Sequence, residues 1–385
     1  MKVEFWNARD ADDYQRWASV QASMPSRPVF AHPSLVAQLA GPDEQPMAAY
    51  AQVGTAVVLY PFLLRPVPVR PAAGRLPQQV AGSLSYDITS PYGYGGAFTS
   101  GQLSPAEAAE FWRQFDEFCA ARGVVSEFTR LSLFPDERLA HPGDITTPLV
   151  NVVVDLTLTE DELWRQFEHK VRKNVAKARR SGVTVETDPT GRHLDAFLSI
   201  YESTMDRRAA AASYYFPRSF FERIIRAMPG QFMFFHSWLD GRIVSTELVL
   251  ASTDTLFSFL GGTDEAAFPF RPNDLLKFEV CRWGQATGRR RFVLGGGRHR
   301  DDGIFRYKRS FAPDGLVPFE VCTRVHDPQT YAHLVAAHQA EGRRRDPQWR
   351  PDPGFFPAYR CPLPAATGDE ALADDRPLSG AVQSG

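Results

Sequence analysis

The order of strand-like and helix-like segments after residue 150 is the feature that most restricts how this chain can fold. The segments are recognised by apolar alternation or by helical spacing of apolar residues. They run strand, helix, strand, helix, helix, several strands, helix, strand and strand, at 151–158, 160–181, 182–187, 194–209, 219–228, 232–262, 273–288, 290–296 and 316–325. This order predicts an α/β (α+β) domain whose sheet is mostly antiparallel.

Local signals fix the ends of several of these segments. Thr159 and Glu162 have capping-box spacing at the start of the first helix, and Gly182 lies just past its end. A tight turn at Asp240-Gly241 predicts a hairpin within 232–262. One apolar face is predicted along the first helix, formed by Leu163, Phe167, Val171, Val175 and Ala178.

The length of the chain indicates two domains. It has 385 residues, of which 43% are hydrophobic and 23% charged, and these are ordinary values for globular proteins. We predict an N-terminal domain over 1–150, a C-terminal domain over 151–340 and a poorly ordered tail, rich in Pro, Arg and Gly, over 341–385. In an alternative division the last strand and helix, 316–340, pack on the N-terminal domain.

The composition indicates which cellular compartment to expect and which kinds of binding site are excluded. The N-terminus carries charges throughout, and no apolar run of about 18 residues occurs, so we expect a cytoplasmic protein without integral membrane contact. The four cysteines form no CxxC pair, and the nine histidines show no metal-ligand spacing, so no metal site is expected. A formal net charge of -2 excludes nucleic-acid binding through overall charge, but it allows a local basic patch.

Such a patch occurs in residues 169–182. Six cations and no acid occupy about three helical turns: Lys170, Arg172, Lys173, Lys177, Arg179 and Arg180. One interpretation is a solvated helix end whose charges suit the helix dipole. The other is a surface that attracts a phosphate-rich partner such as tRNA, CoA or a nucleotide-sugar diphosphate.

Two further segments carry groups suited to binding. Arg207 ends a helix and is followed by Tyr214 and Tyr215, which combine a phosphate-binding guanidinium with stacking faces and hydroxyls. The tyrosines are alternatively core residues. Asn273 is a candidate N-cap of the next helix, where free backbone N–H groups favour anions.

Lys308 is the candidate catalytic residue. It lies among Phe305, Tyr307 and Phe311, and rings on both sides fix a lysine in place. Acyl transfer to an amine builds negative charge on the carbonyl oxygen, and a fixed cation there lowers the barrier. The alternative is a basic surface strand or loop. The motifs GxSxG, HExxH and GxxxxGK[ST] are absent, as is a GxGxxG that follows a strand.

Together, five segments resemble the Fem-type peptidyltransferases and their acetyltransferase-like relatives in the GNAT superfamily. The matching segments are YDITSPYGYGG (86–96), VRKNVAKARRSGV (171–183), the stretch from Thr204 to Phe216, Arg271 to Leu276, and Gly295 to Phe311. The resemblance implies two tandem GNAT-like domains, each a mostly antiparallel mixed sheet flanked by helices, with the acceptor in the cleft between them. It also implies that Lys308 stabilises the carbonyl oxygen during transfer.

The implied activity is transfer of an aminoacyl or acyl group to a primary amine of a peptidoglycan precursor or a small metabolite. The Gly-rich turn of CoA-binding GNAT domains is replaced by Arg-Pro-Asn-Asp at 271–274, which favours aminoacyl-tRNA over acyl-CoA as co-substrate. An acyl-CoA-dependent N-acetyltransferase and a non-enzymatic RNA-binding protein remain alternatives. No covalently bound cofactor is expected. The candidate substrate-binding residues are Arg207, Tyr214, Tyr215, Asn273, Arg306, Tyr86, Tyr92 and Tyr94, and those for tRNA or phosphate are Arg172, Lys173 and Lys177.

Overall fold

The chain forms two compact units in a computed structural model that describes residues 1–67, 85–297 and 302–364. The first unit comprises Met1–Pro25, Phe30–Pro148 and residues 320–364, and the second comprises Ser26–Val29 and Leu149–Phe319. Residues 365–385 of the expected tail, and residues 298–301 within the segment from Gly295 to Phe311, lie outside the described ranges.

The strands, numbered along the chain, are β1 (Glu4–Asn7), β2 (Gln45–Val53), β3 (Ala56–Pro66), β4 (Tyr86–Thr89), β5 (Phe98–Ser100), β6 (Val124–Arg130), β7 (Asp144–Asp155), β8 (Thr184–Asp188), β9 (Phe232–Leu239), β10 (Arg242–Ala251), β11 (Thr255–Thr263), β12 (Arg291–Gly295) and β13 (Leu316–Val325). The α-helices are α1 (Ala11–Ser23), α2 (Pro33–Leu39), α3 (Pro105–Arg122), α4 (Glu160–Gln166), α5 (His169–Arg180), α6 (Leu194–Arg207), α7 (Arg218–Ala227), α8 (Pro272–Ala286), α9 (Gly303–Arg309) and α10 (Pro328–Arg345).

The strands of the first unit follow the order β1-β2-β3-β4-β6-β13, and β5 pairs with β3. Every neighbouring pair is antiparallel except β4 and β6, which are parallel. The parallel step requires a crossover, and α3 lies in that connection. Ser104 and Glu107 form a capping box at the start of α3, and Gly123 ends it in the left-handed conformation at φ 65°.

The second unit repeats this arrangement in the order β8-β9-β10-β11-β12-β7. Among the strands described in this unit, only β11 and β12 are parallel, and α8 lies in the connection between them. The predicted fold class, with mixed and mostly antiparallel sheets flanked by helices, is therefore confirmed. The units differ after the parallel pair: β12 is followed by α9, whereas the described residues between β6 and β7 contain only a 3₁₀ helix (Pro135–Glu137).

The predicted first helix of the second unit is in fact two helices. The Thr159–Glu162 capping box begins α4 as expected, but α4 ends at Gln166 with Phe167 as its C-cap, and α5 begins after Glu168. All five residues of the predicted apolar face are buried in one core, so the face continues across the break. Phe167 anchors the break with its ring 5.4 Å from Phe311. Helical spacing alone did not reveal it, because the spacing is the same on both sides.

Residues 341–364 of the expected tail include the end of a helix and buried side chains. α10 continues to Arg345, and Tyr359 is buried within the first unit. Arg360 Nε donates to Asp87 at 2.5 Å, and the Tyr359 hydroxyl donates to the same carboxylate at 3.2 Å. These contacts hold residues 358–360 on the β3–β4 region, because Asp87 is fully buried and needs charged partners.

Candidate active site

Lys308 lies on α9 and is only 2% exposed. The Asp302 carboxylate accepts from Phe305 N at 2.7 Å and caps the helix, while Phe305 and Phe311 enter the core. This placement turns the lysine inward, and its Nζ donates to the Gly296 carbonyl oxygen at 2.8 Å. The segment is therefore a helix rather than the surface strand or loop considered as an alternative, and the ammonium group does not point into bulk solvent.

The environment of Lys308 favours the neutral amine over the charged ammonium form. Burial lowers the pKa of Lys308 to about 7, and the nearby Lys277 ammonium acts in the same direction. The Glu247 and Asp302 carboxylates partly oppose this change. The amine and ammonium forms are therefore both accessible near neutral pH.

A buried ion pair beside Lys308 was not predicted from the sequence. Lys277 Nζ on α8 donates to Glu247 Oε1 on β10 at 2.5 Å and to Ser258 Oγ on β11 at 2.7 Å. Both side chains of the pair are 3% exposed. Within the described ranges, Glu247 Oε2 has no hydrogen-bond partner. The sequence does contain a signal for this pair, because a charged residue replaces an apolar one in each of two otherwise apolar stretches. These residues are Lys277 in LLKF of α8 and Glu247 in STELVL of β10.

The start of α8 differs from the predicted Asn273 cap. Arg271, at φ 61°, occupies the N-cap position, and Pro272 is the first helical residue. Asn273 lies inside the first turn, and its amide donates to the Tyr307 hydroxyl at 2.8 Å. This bond links α8 to α9 one residue before Lys308, which gives Asn273 a positioning contact.

The first turn of α8 also holds a buried acid. Asp274 is 7% exposed and accepts from Asn174 Nδ2 of α5 at 3.0 Å. Burial raises the pKa of Asp274, although Asn174, Arg271 and Lys170 favour its charged form. A carboxyl group thus occupies the position where an anion-binding helix start needs free N–H groups.

Arg207 ends α6 with an exposed guanidinium. It donates to the Thr263 carbonyl oxygen at 3.2 Å and to Thr204 Oγ1 at 3.4 Å, and it lies 5.0 Å over the Phe268 ring. Arg306, on α9, is also exposed.

The two tyrosines after α6 are placed differently from each other. Tyr214 is buried, and its carbonyl oxygen accepts from the Tyr201 hydroxyl. Tyr215 is 38% exposed, and its hydroxyl donates to Asp206 at 2.8 Å. Tyr214 thus fits the core alternative, whereas the Tyr215 ring remains accessible.

The cations of α5 divide into two groups. Arg172 donates to the carbonyl oxygens of Arg165 and Phe167 at the end of α4, and Arg179 pairs with Glu279 at 3.0 Å. Lys170, Lys173, Lys177 and Arg180 form no hydrogen bond or ion pair in the part of the chain that the structure describes. A phosphate site on α5 therefore depends on the lysines, including the predicted Lys173 and Lys177, rather than on Arg172.

The remaining predicted residues lie in the first unit. Tyr94 is buried and meets Phe30 edge-on at 5.4 Å between ring centroids. Burial raises the pKa of Tyr94 above its ordinary range. Tyr86 is half-buried on β4, which extends into the predicted loop, and Tyr92 is half-buried after that strand.

Across 1–67, 85–297 and 302–364, no group of three or more His, Cys, Asp or Glu side chains is arranged to hold a metal ion. Among the helices in those ranges, none combines the length and apolarity needed to cross a bilayer.

Comparisons with known proteins assign the domain that contains Lys308. Residues 165–309 match the family model described as an acetyltransferase (GNAT) domain. Among curated proteins, none matches this chain in sequence. The fold is similar to that of FemX, with a TM-score of 0.62 at 15% identity over 86% of this chain and 99% of FemX. It is also similar to the C-terminal domain of a putative lysylphosphatidylglycerol synthetase from Agrobacterium fabrum, with a TM-score of 0.52 at 14% identity over 86% and 96% of the two chains.

The predicted resemblance to Fem-like GNAT acyltransferases is confirmed by the GNAT domain and by the FemX-like fold. The matched residues include α5, α6, α8 and α9, so the basic helix and both buried lysines lie within the part of the chain that matches a GNAT domain.

Proposed function

We propose that this protein is an acyltransferase that moves an aminoacyl group from aminoacyl-tRNA to a primary amine, with Lys308 as the catalytic residue. The observation that carries the proposal is the buried Lys308 ammonium, fixed 2.8 Å from the Gly296 carbonyl oxygen inside the GNAT domain. A fixed cation in a site without bulk water stabilises a developing oxyanion far better than an exposed one.

The proposed reaction is direct attack by a bound neutral amine. The amine nitrogen forms a bond to the ester carbonyl carbon, and the carbonyl oxygen gains negative charge that Lys308 stabilises. The bond from that carbon to the ribose oxygen then breaks, and the proton lost by the amine passes to the leaving ribose oxygen. Holding both substrates in place supplies much of the acceleration, because the bimolecular step becomes effectively unimolecular.

The surroundings of α8 support tRNA over CoA as donor. CoA-binding GNAT domains use a Gly-rich turn and a helix start to hold the pyrophosphate. In this chain the Asp274 carboxyl group occupies that helix start, and Pro272 removes one N–H group. The unpaired lysines of α5 provide the charge that a polyanion would meet instead.

An acyl-CoA donor is the second candidate, favoured by the match to an acetyltransferase domain. A titration separates the two. Saturable quenching of tryptophan fluorescence by CoA, with no change on adding tRNA, would replace aminoacyl-tRNA by acyl-CoA as donor.

The catalytic role is tested with Lys308→Ala in the full-length protein. Transfer of a radiolabelled alanyl group from alanyl-tRNA, or of an acetyl group from acetyl-CoA, to a lysine-containing peptide is measured as an initial rate. Loss of one oxyanion stabiliser predicts a fall in turnover of about 10² to 10³-fold. Arg309→Ala is the matched control, since Arg309 is the next residue on α9 but is exposed, and full activity is expected.

Two results would contradict the proposal. Equal turnover in Lys308→Ala and wild type, with melting curves unchanged, would remove Lys308 from the mechanism. Tight tRNA binding without transfer to any amine probe, undisturbed by Lys308→Ala, would instead support the non-enzymatic RNA-binding alternative.

A further inference from the structure

Three aromatic rings stand out on the surface of the second unit. Among the described residues, the large hydrophobic side chains that are exposed include the rings of Tyr215 (38%), Phe268 (41%) and Phe270 (37%). Folding gains free energy when such rings are buried, so several exposed rings in one place indicate a surface that another molecule covers. These three rings are called the aromatic platform below.

Arg207 connects two parts of the platform. Its guanidinium lies over Phe268, and the hydroxyl of Tyr215 is bonded to Asp206, the residue before Arg207. Thr263 and Thr204 hold one guanidinium nitrogen, so the flat group stays against the ring. A planar cation stacked on an exposed ring offers the kind of surface on which nucleobases stack.

The two phenylalanines are held outward by a short, constrained segment. Phe268 and Phe270 lie in a 3₁₀ helix (Glu265–Phe270) whose start is capped by Asp264 and whose Ala267 is buried in the core. Pro269 between the rings fixes the backbone. The rings are thus presented at little conformational cost.

The same 3₁₀ helix packs against α5. The neighbouring helix α5 carries Lys170, Lys173 and Lys177, which are exposed and form no ion pair in the described structure. Arg271 adds a further exposed cation directly after Phe270. Exposed rings beside unpaired cations are the combination that binds single-stranded nucleic acid, since the rings stack on bases and the cations meet the phosphates.

We propose that the aromatic platform and the α5 lysines bind the unpaired, acyl-bearing end of an RNA donor. The inference rests on the proposed function and adds to it the site that holds the donor. Recognition is through stacking and charge, so it does not require a particular base sequence. The adenine ring and phosphates of CoA share this chemistry, and the test separates the two sources.

The test uses fluorescence anisotropy with the full-length protein. The probes are a 5′-labelled, unpaired twelve-nucleotide RNA ending in CCA and an RNA hairpin of equal charge with no unpaired end, and unlabelled CoA serves as competitor. We expect Phe268→Ala and Phe270→Ala each to weaken binding of the unpaired RNA about fivefold or more and to leave hairpin binding unchanged. Leu316→Ala is the control, because Leu316 is equally exposed (40%) in the same unit.

Salt dependence separates the rings from the lysines. The slope of log affinity against log salt reports phosphate contacts, so Lys173→Ala should reduce its magnitude by about 0.7, while the phenylalanine variants keep the wild-type slope. If CoA competes with the RNA at micromolar concentration, and the phenylalanine substitutions weaken this competition as much as they weaken RNA binding, the platform is assigned to CoA rather than to RNA.

The outcomes distinguish this inference from the proposed function. If wild type binds and uses the RNA donor but the phenylalanine variants bind equally well, the platform is refuted and the acyltransferase proposal stands. If wild type binds no RNA yet transfers from acyl-CoA, the RNA donor and the platform both fail. Binding to phosphatidylglycerol vesicles that is lost in the phenylalanine variants, with RNA binding intact, would make the platform a membrane contact and overturn the inference.

Discussion

Replacing Lys277 with methionine removes the charged partner of Glu247 while keeping most of the side-chain volume. The carboxylate then loses the bond at 2.5 Å, and its second oxygen already has no partner among the described residues. Removing one member of a buried pair costs about 3–5 kcal/mol. Protonation limits this cost: a glutamate in water titrates near pH 4.3, so neutralising it at pH 7 costs about 4 kcal/mol at 1.36 kcal/mol per pH unit. We therefore expect Lys277→Met to lower the free energy of unfolding by about 3–4 kcal/mol at pH 7.

Urea denaturation at pH 7, followed by tryptophan fluorescence, measures this loss. Hydrogen exchange of β10 and β11 assigns the loss to the second unit. The double variant Lys277→Met/Glu247→Leu should recover most of the stability, because an apolar pair needs no charge compensation. A single-variant loss below about 1 kcal/mol, or a double variant no better than the single one, would refute the reasoning.

Three further predictions concern charge and packing. Burial lowers the pKa of Lys308 to about 7, so the ammonium form is lost above that pH and log kcat/KM of transfer should fall above about pH 7. Lys308→Arg should move this fall to higher pH. A fall unchanged by the substitution would contradict the catalytic role of Lys308. Burial disfavours the charged form of His141, but the Glu127 carboxylate 3.0 Å away outweighs it and raises the pKa of His141 to about 9. This interaction should contribute about 3 kcal/mol to the free energy of unfolding below pH 6.5, and the contribution should be lost as pH rises through 9. Urea denaturation at pH 6.5 and pH 10 measures this loss, and His141→Gln should show a flatter profile. Phe167→Ala should cost about 3–5 kcal/mol in the second unit by the same assay, since the ring is 1% exposed, and a loss under 1 kcal/mol would indicate that the core closes around the gap.

Features set by neighbouring residues were predictable from the sequence. The Thr159–Glu162 capping box and the Asp240-Gly241 hairpin both appear as expected, and the turn has positive φ at both residues, 49° and 72°. These signals are reliable because the partners are at most three residues apart.

Features that depend on distant partners were not predictable. The Lys277–Glu247 pair joins residues 30 apart, and it forms only once α8 lies against β10. The misplaced cap at Asn273 has a related cause. Pro272 is favourable as the first helical residue, so the N-cap lies two residues earlier, at Arg271, and the Asn273 amide is free to donate to Tyr307 of α9. A single sequence does not reveal that Tyr307 is there.

The charges around Lys308 support the proposed mechanism through differential stabilisation. In the folded protein, burial and the Lys277 ammonium disfavour the charged form of Lys308, so its ammonium is costly in the resting site. An oxyanion forming beside it would lower that cost, because opposite charges attract most strongly where water is scarce. The interaction is therefore worth more in the transition state than with a neutral ester, and only such a difference accelerates the chemical step. An exposed lysine, already stabilised by water, would gain much less from the same oxyanion.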